Sequence, residues 1–502
     1  RKSLFKYFKT LKFLDYLKEC GACLICQLRY LKTRGNEYKN MKETFLRSNV
    51  KYEPEAIPES NGESNELQLK KQRLNSCSVC LGLFSAEFQD EMLQSILATD
   101  FSKYECSQIV IAISLPMLLQ VRQLSMWYAL MRTFGEDKID ASRSPDVPLK
   151  EAAKLILNPQ LCEKLNKQYA AEGIMINMQL THAQESDEVA AACKIYELVF
   201  PAKNGKRQLI TRGVLEKFFL PTRLPATQFE RFVDIPPAVP NSSLRLETVS
   251  LTGPTVYVAG RYRKLTRTLS HTPWVLNGKR MLEDSIEEII MRSVAPYFST
   301  DQQKIIFMSS GREDVDVRCL GKGRPFVLEI PNSLRNTLSK ADALKMELDI
   351  EQSAQVSVRN LQMVQREELV HIKTGEEKKR KFYRALCMLE EPVTVDILEK
   401  LDLPQGFEIQ QKTPIRVLHR RPLHTRPRSI YSLKAWVQRD NPRALIIDIV
   451  SQAGTYIKEL VHGEFGRTVP SITSLIGKPI DIIALDVVGI DLDWPADVDN
   501  RS

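Results

Sequence analysis

Two Cys-x-x-Cys knuckles, Cys23-Leu-Ile-Cys26 and Cys77-Ser-Val-Cys80, constrain the fold of this chain more than any other feature. Two intervening residues let both thiolates of a knuckle face one point, so two knuckles can enclose a single tetrahedral ion. The segment between them is long, and metal binding would offset the entropy of closing that loop. Cys23, Cys26, Cys77 and Cys80 are therefore the expected ligands of one structural zinc, since four thiolates leave no open coordination position. Cys20 has the same spacing to Cys23 and is an alternative ligand. The bland reading is two unrelated buried pairs of small apolar residues. Arg1–Lys18 mixes apolar residues with six Lys/Arg and builds no signal-peptide core, so a reducing compartment is expected. The chain does not begin with Met, which leaves its true start open.

Composition excludes several classes. The chain has 502 residues, 43% hydrophobic and 26% charged, as ordinary globular proteins do. That length implies two to four domains by the usual rule of about 100–200 residues each. The most apolar run, Ile109–Leu119, is about half the ~20 residues a membrane span needs, and it contains Ser114 and Pro116. No membrane association is expected. The net charge of +9 is mild, so its placement matters more than its size.

Between the knuckles, Pro54–Ser76 is polar and reads as a flexible insertion. Ile109–Ile113 has the pattern of a strand, and Gln120–Phe134 and Ser186–Leu198 have helical spacing. The proline-rich Thr222–Pro240 reads as an extended connector. Beyond it, Val256–Gly260 alternates like a strand. Short β-rich runs then recur at Val315–Val317, Phe326–Ile330, Val356–Val364, Tyr383–Met388, Ile415–Leu418, Leu445–Val450 and Ile482–Ile490. Helical segments at Glu283–Val294 and Tyr456–Phe465 separate them. That alternation predicts an α/β or α+β domain around a sheet.

Positive charge gathers in three places. Lys412–Arg428 holds Lys412, Arg416, Arg420, Arg421, Arg426 and Arg428 with no acidic residue. His371–Arg384 is a second cluster, and Arg261, Arg263, Lys264 and Arg267, beside Tyr262, form a third. Any one could be a solvated face. Three together, interleaved with aromatics, point to a nucleic-acid backbone. No G-x-x-x-x-G-K-[ST] loop, G-x-G-x-x-G turn or G-x-S-x-G elbow is present, which disfavours nucleotide hydrolysis, Rossmann-type group transfer and hydrolase chemistry. The densest polar segment is Ser309–Arg318, where a carboxylate flanked by Arg312 and Arg318 would stay ionised. A salt-bridged turn is its bland reading. In Gln452–Glu459, a glycine turn and a helix start would present Lys458 toward such a carboxylate, with Thr455 as an alternative simple helix cap.

These segments together resemble the pseudouridine synthases, specifically the Pus-ten family of archaeal and eukaryotic tRNA pseudouridine synthases. The resemblance rests on both knuckles, Gly260-Arg-Tyr-x-Lys264, Thr272-Pro-Trp274 and Gly311-Arg-Glu-Asp-Val-Asp-Val-Arg318. Gln411–Arg421, Gln452–Lys458 and His462-Gly-x-Phe-Gly-Arg467 extend it over nearly the whole chain. It implies an α+β fold, with a carboxy-terminal synthase domain around a mixed, largely antiparallel sheet. Residues 1–83 would be a zinc-binding segment, 84–270 an RNA-binding region containing a THUMP-type module, and 271–502 the catalytic domain.

By the same resemblance, Asp314 is the essential carboxylate, acting as a nucleophile or, in the glycal variant, as a base; Asp316 is its formal rival. Arg312 accompanies it, and Tyr383 is the base-stacking aromatic, with Tyr431 a weaker candidate. Ile457 and Lys458 follow the Gly-Thr-Tyr turn, with Lys458 holding the carboxylate ionised, and Leu485 is a late apolar contact. The implied reaction is cofactor-free isomerisation of T-arm uridines at tRNA positions 54 and/or 55. tRNA, and other structured RNAs, would be its partners, and the protein a monomer of nucleus and cytoplasm. Two other readings stand beside it: a non-catalytic zinc-containing RNA-binding protein on the same scaffold, and a THUMP-bearing tRNA methyltransferase.

Overall fold

The computed structural model describes residues 12–30, 38, 76–135, 147–199, 213–215, 219, 224–377 and 379–498. Residues 54–75 of the expected insertion lie outside them. The chain divides into two compact units, Arg1–Thr252 and Gly253–Ser502.

In the first unit, β1 (Gln108–Ser114), β2 (Gln168–Tyr169), β3 (Ile174–Thr181) and β4 (Arg245–Thr252) form a sheet in the order β2-β1-β3-β4. Alternation explains its amphipathic character: Ile174, Ile176, Met178 and Leu180 point inward while their neighbours point out. Helices α1 (Leu24–Tyr30), α2 (Ala86–Leu97), α3 (Leu118–Phe134), α4 (Leu149–Leu165) and α5 (Glu185–Val199) belong to the same unit. Two expectations change here. The knuckles do not form a separate segment, because buried Arg122 donates to the Ser78 and Ala238 carbonyls and Arg29 to that of Val147. The proline-rich stretch is also more than a connector: it holds α6 (Ala226–Phe229), and Leu224 and Phe229 are buried in a core with Tyr128.

The second unit begins at Gly253 rather than 271, because β5 (Val256–Lys264) is a strand of its large sheet. After a two-residue hairpin, β6 (Val275–Leu276) and β7 (Lys279–Arg280), the chain forms helix α7 (Ile286–Val294). Strands β8 (Ile306–Ser309), β9 (Arg318–Ile330), β10 (Val356–Val364), β11 (Lys381–Leu389), β12 (Phe407–Lys412), β13 (Thr425–Gln438), β14 (Asn441–Ser451), β15 (Thr468–Val469) and β16 (Ile480–Ile490) follow. They pair in the order β10-β5-β9-β16-β11-β14-β13-β12-β15, with β8 on β9. Every pairing is antiparallel except β16 with β9, which are parallel through Asp486↔Arg318 and Val487↔Cys319. Helices α8 (Lys340–Glu351) and α9 (Ile457–His462) complete the elements used below. Two expected strands are absent. Val315–Val317 is a turn closed by Val317 N–H donating to the Asp314 carbonyl (3.1 Å), and 415–417 is a 3₁₀ turn.

Candidate active site and cysteine cluster

The parallel β9–β16 seam, near the middle of the sheet, has a cavity of about 520 Å³ beside it. Asp314 stands on its wall, in the turn that leads into β9. Three buried contacts hold that turn. Lys264 donates to the Asp314 and Val315 carbonyls at 3.0 and 2.5 Å. Arg324 donates to the Ser310 carbonyl (2.9 Å), and Gly311 has φ +93°, a backbone conformation that favours glycine.

Beneath the turn, Glu313 and Arg324 form an ion pair (2.9 Å) whose side chains are 1% and 2% exposed. Tyr262 Oη donates to Glu313 (3.0 Å) and lies 3.2 Å from His271 Nδ1; Ser309 Oγ lies 3.1 Å from Nε2. Burial depresses the His271 imidazole from 6.5 to about 4. The unfolded chain therefore takes up a proton below about 6.5 that the folded protein resists down to about 4. Stability present above pH 6.5 is lost as pH falls through that window, by about 2 kcal/mol between pH 6.5 and 5. Urea titrations at the two pH values should show this loss shrinking in His271→Phe; an unchanged pH slope would assign it elsewhere.

The structure brings Arg312, Asp314, Tyr383, Ile457, Lys458 and Leu485 to the same cavity. Their contacts differ from those expected. Lys458 Nζ lies 2.7 and 2.8 Å from the Asp316 oxygens but 3.6 Å from Asp314 Oδ2. The closest cation to Asp314 is Arg416, whose Nη1 is 2.8 Å from Oδ2. Arg416 Nε in turn donates to the buried carboxylate of Glu459 on α9 (2.7 Å). Arg318 does not flank Asp314; it pairs with Asp486 of β16 at 2.7 Å. Asp316, 63% exposed at its side chain, is outside the cavity lining.

Tyr383 lines the cavity with its phenol pushed up to about 12 by burial, so the ring stays neutral. Tyr431 is instead covered by the Arg380 guanidinium, 4.4 Å from its ring centre. Thr455 does not cap α9 with its side chain. Gln411 clamps that helix start, accepting from Tyr456 N–H (2.9 Å) and donating to its carbonyl (3.0 Å).

The basic clusters separate once folded. Arg416, Arg420, Arg421, Arg426 and Arg428 all line the cavity, and burial followed by the charge of Arg426 lowers the Arg428 guanidinium below its ordinary value. The β5 cluster is structural. Arg261 is buried and donates to the carbonyls of Lys322, Gly323, Leu492 and Trp494; Lys264 is fully buried, which brings it down to about 8. Arg263 donates to Ser357 Oγ, and Arg267 to the Asp316 and Leu485 carbonyls and to Asp486. From the second cluster, Lys381 reaches the cavity while Arg384 pairs with Asp448 at 2.7 Å. Sequence reasoning missed Glu313, Arg324 and Glu459 as organisers. For Glu313 and Glu459 the available signal was a carboxylate next to Asp314 and Lys458, too common a pattern to act on, and Arg324 in Gly321-Lys-Gly-Arg-Pro325 carried no signal of its partner.

In the first unit, the Sγ atoms of Cys23, Cys26, Cys77 and Cys80 lie within 4.8 Å of one another. Cys20 is not in the group. The Cys23–Cys80 sulfur separation of 3.7 Å is close to the ~3.8 Å edge of a tetrahedron with ~2.3 Å zinc–sulfur bonds. Cys77 Sγ accepts N–H bonds from Cys23, Val79 and Cys80 at 3.2–3.4 Å, and buried Arg29 donates to Cys26 Sγ (3.8 Å). Such donors stabilise thiolate charge, so the cluster could hold a metal.

Two family models match the chain: "Pus10, C-terminal" over residues 257–491 and "Eukaryotic Pus10, N-terminal" over 77–250. A Drosophila melanogaster Pus10 protein is 60% identical over 98% of this chain and 99% of its own length. The tRNA pseudouridine synthase Pus10 of Homo sapiens is 35% identical over 86% of this chain and 81% of its own. That of Pyrococcus furiosus is 38% identical over 49% of this chain and 59% of its own. A solved Cbf5-Nop10-Gar1 complex aligns with 45% of this chain and 47% of the other at 16% identity, with a TM-score of 0.26, too slight a similarity to bear on function. By these matches the chain is a pseudouridine synthase, an isomerase, which sets aside the binding-only and methyltransferase readings. Within that class, it belongs to the Pus10 family.

Proposed function

We propose that this protein converts uridine to pseudouridine at tRNA positions 54 and/or 55, with Asp314 as the essential carboxylate. The observation that carries the reading is the placement of Asp314 in a cavity beside two cations, Arg416 and Lys458, with Tyr383 and Leu485 on the same lining. Neighbouring cations favour the ionised carboxylate that a nucleophile or base requires. The reaction cuts the uridine N-glycosidic bond, turns the base and rejoins it through C5. Asp314 acts at the sugar, and the neutral Tyr383 ring stacks on the flipped base. No acidic side chain pairs with Arg420, Arg421 or Arg426 among the described residues, so all three are available to backbone phosphates of the T-arm.

The amino-terminal unit, in this proposal, carries the THUMP-type RNA-binding module and one structural zinc on Cys23, Cys26, Cys77 and Cys80. The ion would tie the knuckles into the helical layer and leave no position for chemistry. Monomeric action in nucleus and cytoplasm belongs to the same proposal. The deciding experiment maps pseudouridine in an unmodified tRNA transcript incubated with the protein. New pseudouridine confined to positions 54 and 55 is expected; modification only elsewhere would overturn the site choice. Metal analysis of freshly purified, reduced protein should find one zinc per chain and little in Cys23→Ser/Cys77→Ser. Wild-type protein without zinc would defeat the metal assignment.

A further inference from the structure

The turn after α9 holds an aromatic ring in solvent. Phe465 is 98% exposed, and the four residues Gly463, Glu464, Phe465 and Gly466 have φ of +77°, +42°, +55° and +79°. Glutamate and phenylalanine rarely adopt that region, so surrounding contacts must hold them there. They do: the Glu464 carboxylate accepts from Ile415 N–H (2.9 Å) and Arg467 Nε (3.2 Å), and the Gly463 carbonyl accepts from the N–H groups of Arg467 and Thr468. Ile415 directly precedes Arg416, whose guanidinium lies on Asp314. The ring therefore stands on a turn fastened to the segment that forms the cavity wall.

Its surroundings indicate what it would meet. Ile415 and Leu418 on that segment are also exposed, and Arg420 and Arg421 follow them. Exposed apolar and aromatic surface beside guanidinium groups that pair with no acidic side chain among the described residues fits single-stranded nucleic acid, whose bases stack while its phosphates meet the cations. Flipping a uridine into the cavity leaves its neighbours partly unstacked, which creates a base in need of a stacking partner.

We propose that Phe465 is a stacking post for an unpaired nucleobase of the RNA neighbouring the target uridine. This rests on the reading of the Asp314 cavity as the RNA active site. Full-length wild type, Phe465→Ala and Phe465→Trp would be compared on an unmodified tRNA transcript, measuring dissociation constant, pseudouridine yield at saturating transcript, and thermal midpoint. Loss of one stacked base is expected to weaken binding of Phe465→Ala roughly 5- to 150-fold. Its thermal midpoint should be unchanged, because the ring covers nothing in the folded protein. Phe465→Trp should bind within a few-fold of wild type. Unchanged affinity in Phe465→Ala alongside an active wild type would overturn this inference alone and leave the active-site reading standing. Failure of Phe465→Trp to restore binding would overturn it too. A wild type that neither binds nor modifies the transcript would remove both this inference and the active-site reading.

Discussion

Asp314→Asn is expected to lower pseudouridine formation about 10²–10⁴-fold or more while leaving tRNA affinity within about threefold of wild type. Asparagine is nearly isosteric, and its oxygen can still accept from Arg416 Nη1, which lies 2.8 Å from Oδ2. What it lacks is a charge to attack the sugar or take a proton. Loss of rate with binding kept is therefore the signature of chemistry rather than of folding. Asp316→Asn is the matched control. Asp316 lies two residues away and takes the shorter contacts with Lys458, yet its side chain is mostly exposed and outside the cavity lining. A loss below about tenfold is expected there. Should Asp314→Asn remain active while Asp316→Asn does not, the roles of the two carboxylates must be exchanged.

Arg324→Met is expected to produce the largest loss of stability. It leaves Glu313, 1% exposed, as a buried carboxylate without its cation. Breaking such a pair from one side costs about 3–5 kcal/mol, since the remaining charge keeps its desolvation penalty. For a unit of this size each kcal/mol moves the melting temperature by about 2–4 °C, giving a fall of about 6–20 °C. Replacing both partners, Glu313→Gln with Arg324→Met, should recover part of that loss because no charge remains buried. Calorimetry on the three variants tests this. A single-variant shift under about 3 °C, or a double variant worse than the single, would show that the pair is not what supports the turn. The turn also carries Asp314, so activity should fall in Arg324→Met even below its melting temperature.

Much of the architecture was readable from local pattern. Val356–Val364 coincides with β10, and Tyr383–Met388 and Ile482–Ile490 lie within β11 and β16, because short runs of aromatic, β-branched and other apolar residues leave a signal in neighbouring positions. Ile415–Leu418 carried a similar apolar signal and still became a 3₁₀ turn, since Pro414 and the contact from Glu464 shape it. The two cysteine knuckles were readable as a group that could hold a metal, and the fold separated Cys20 from it.

Charge was where sequence reading reached its limit. Arg261, Lys264, Arg416 and Arg420 look alike as members of basic runs, yet the fold gives them different work. Arg261 and Lys264 hold carbonyls in the interior, Arg416 joins Glu459 to Asp314, and Arg420 stays at the cavity wall. The sequence by itself determined the strand-rich carboxy-terminal half, each of the two cysteine knuckles and the polar segment holding Asp314. Those features depend on residues within a few positions of one another. Only the tertiary structure decided which cation meets which carboxylate. Guanidinium groups are committed by partners far along the chain, as in Arg416 with Glu459, 43 residues away, and Arg261 with Trp494, 233 residues away, brought together by a fold that no local window contains.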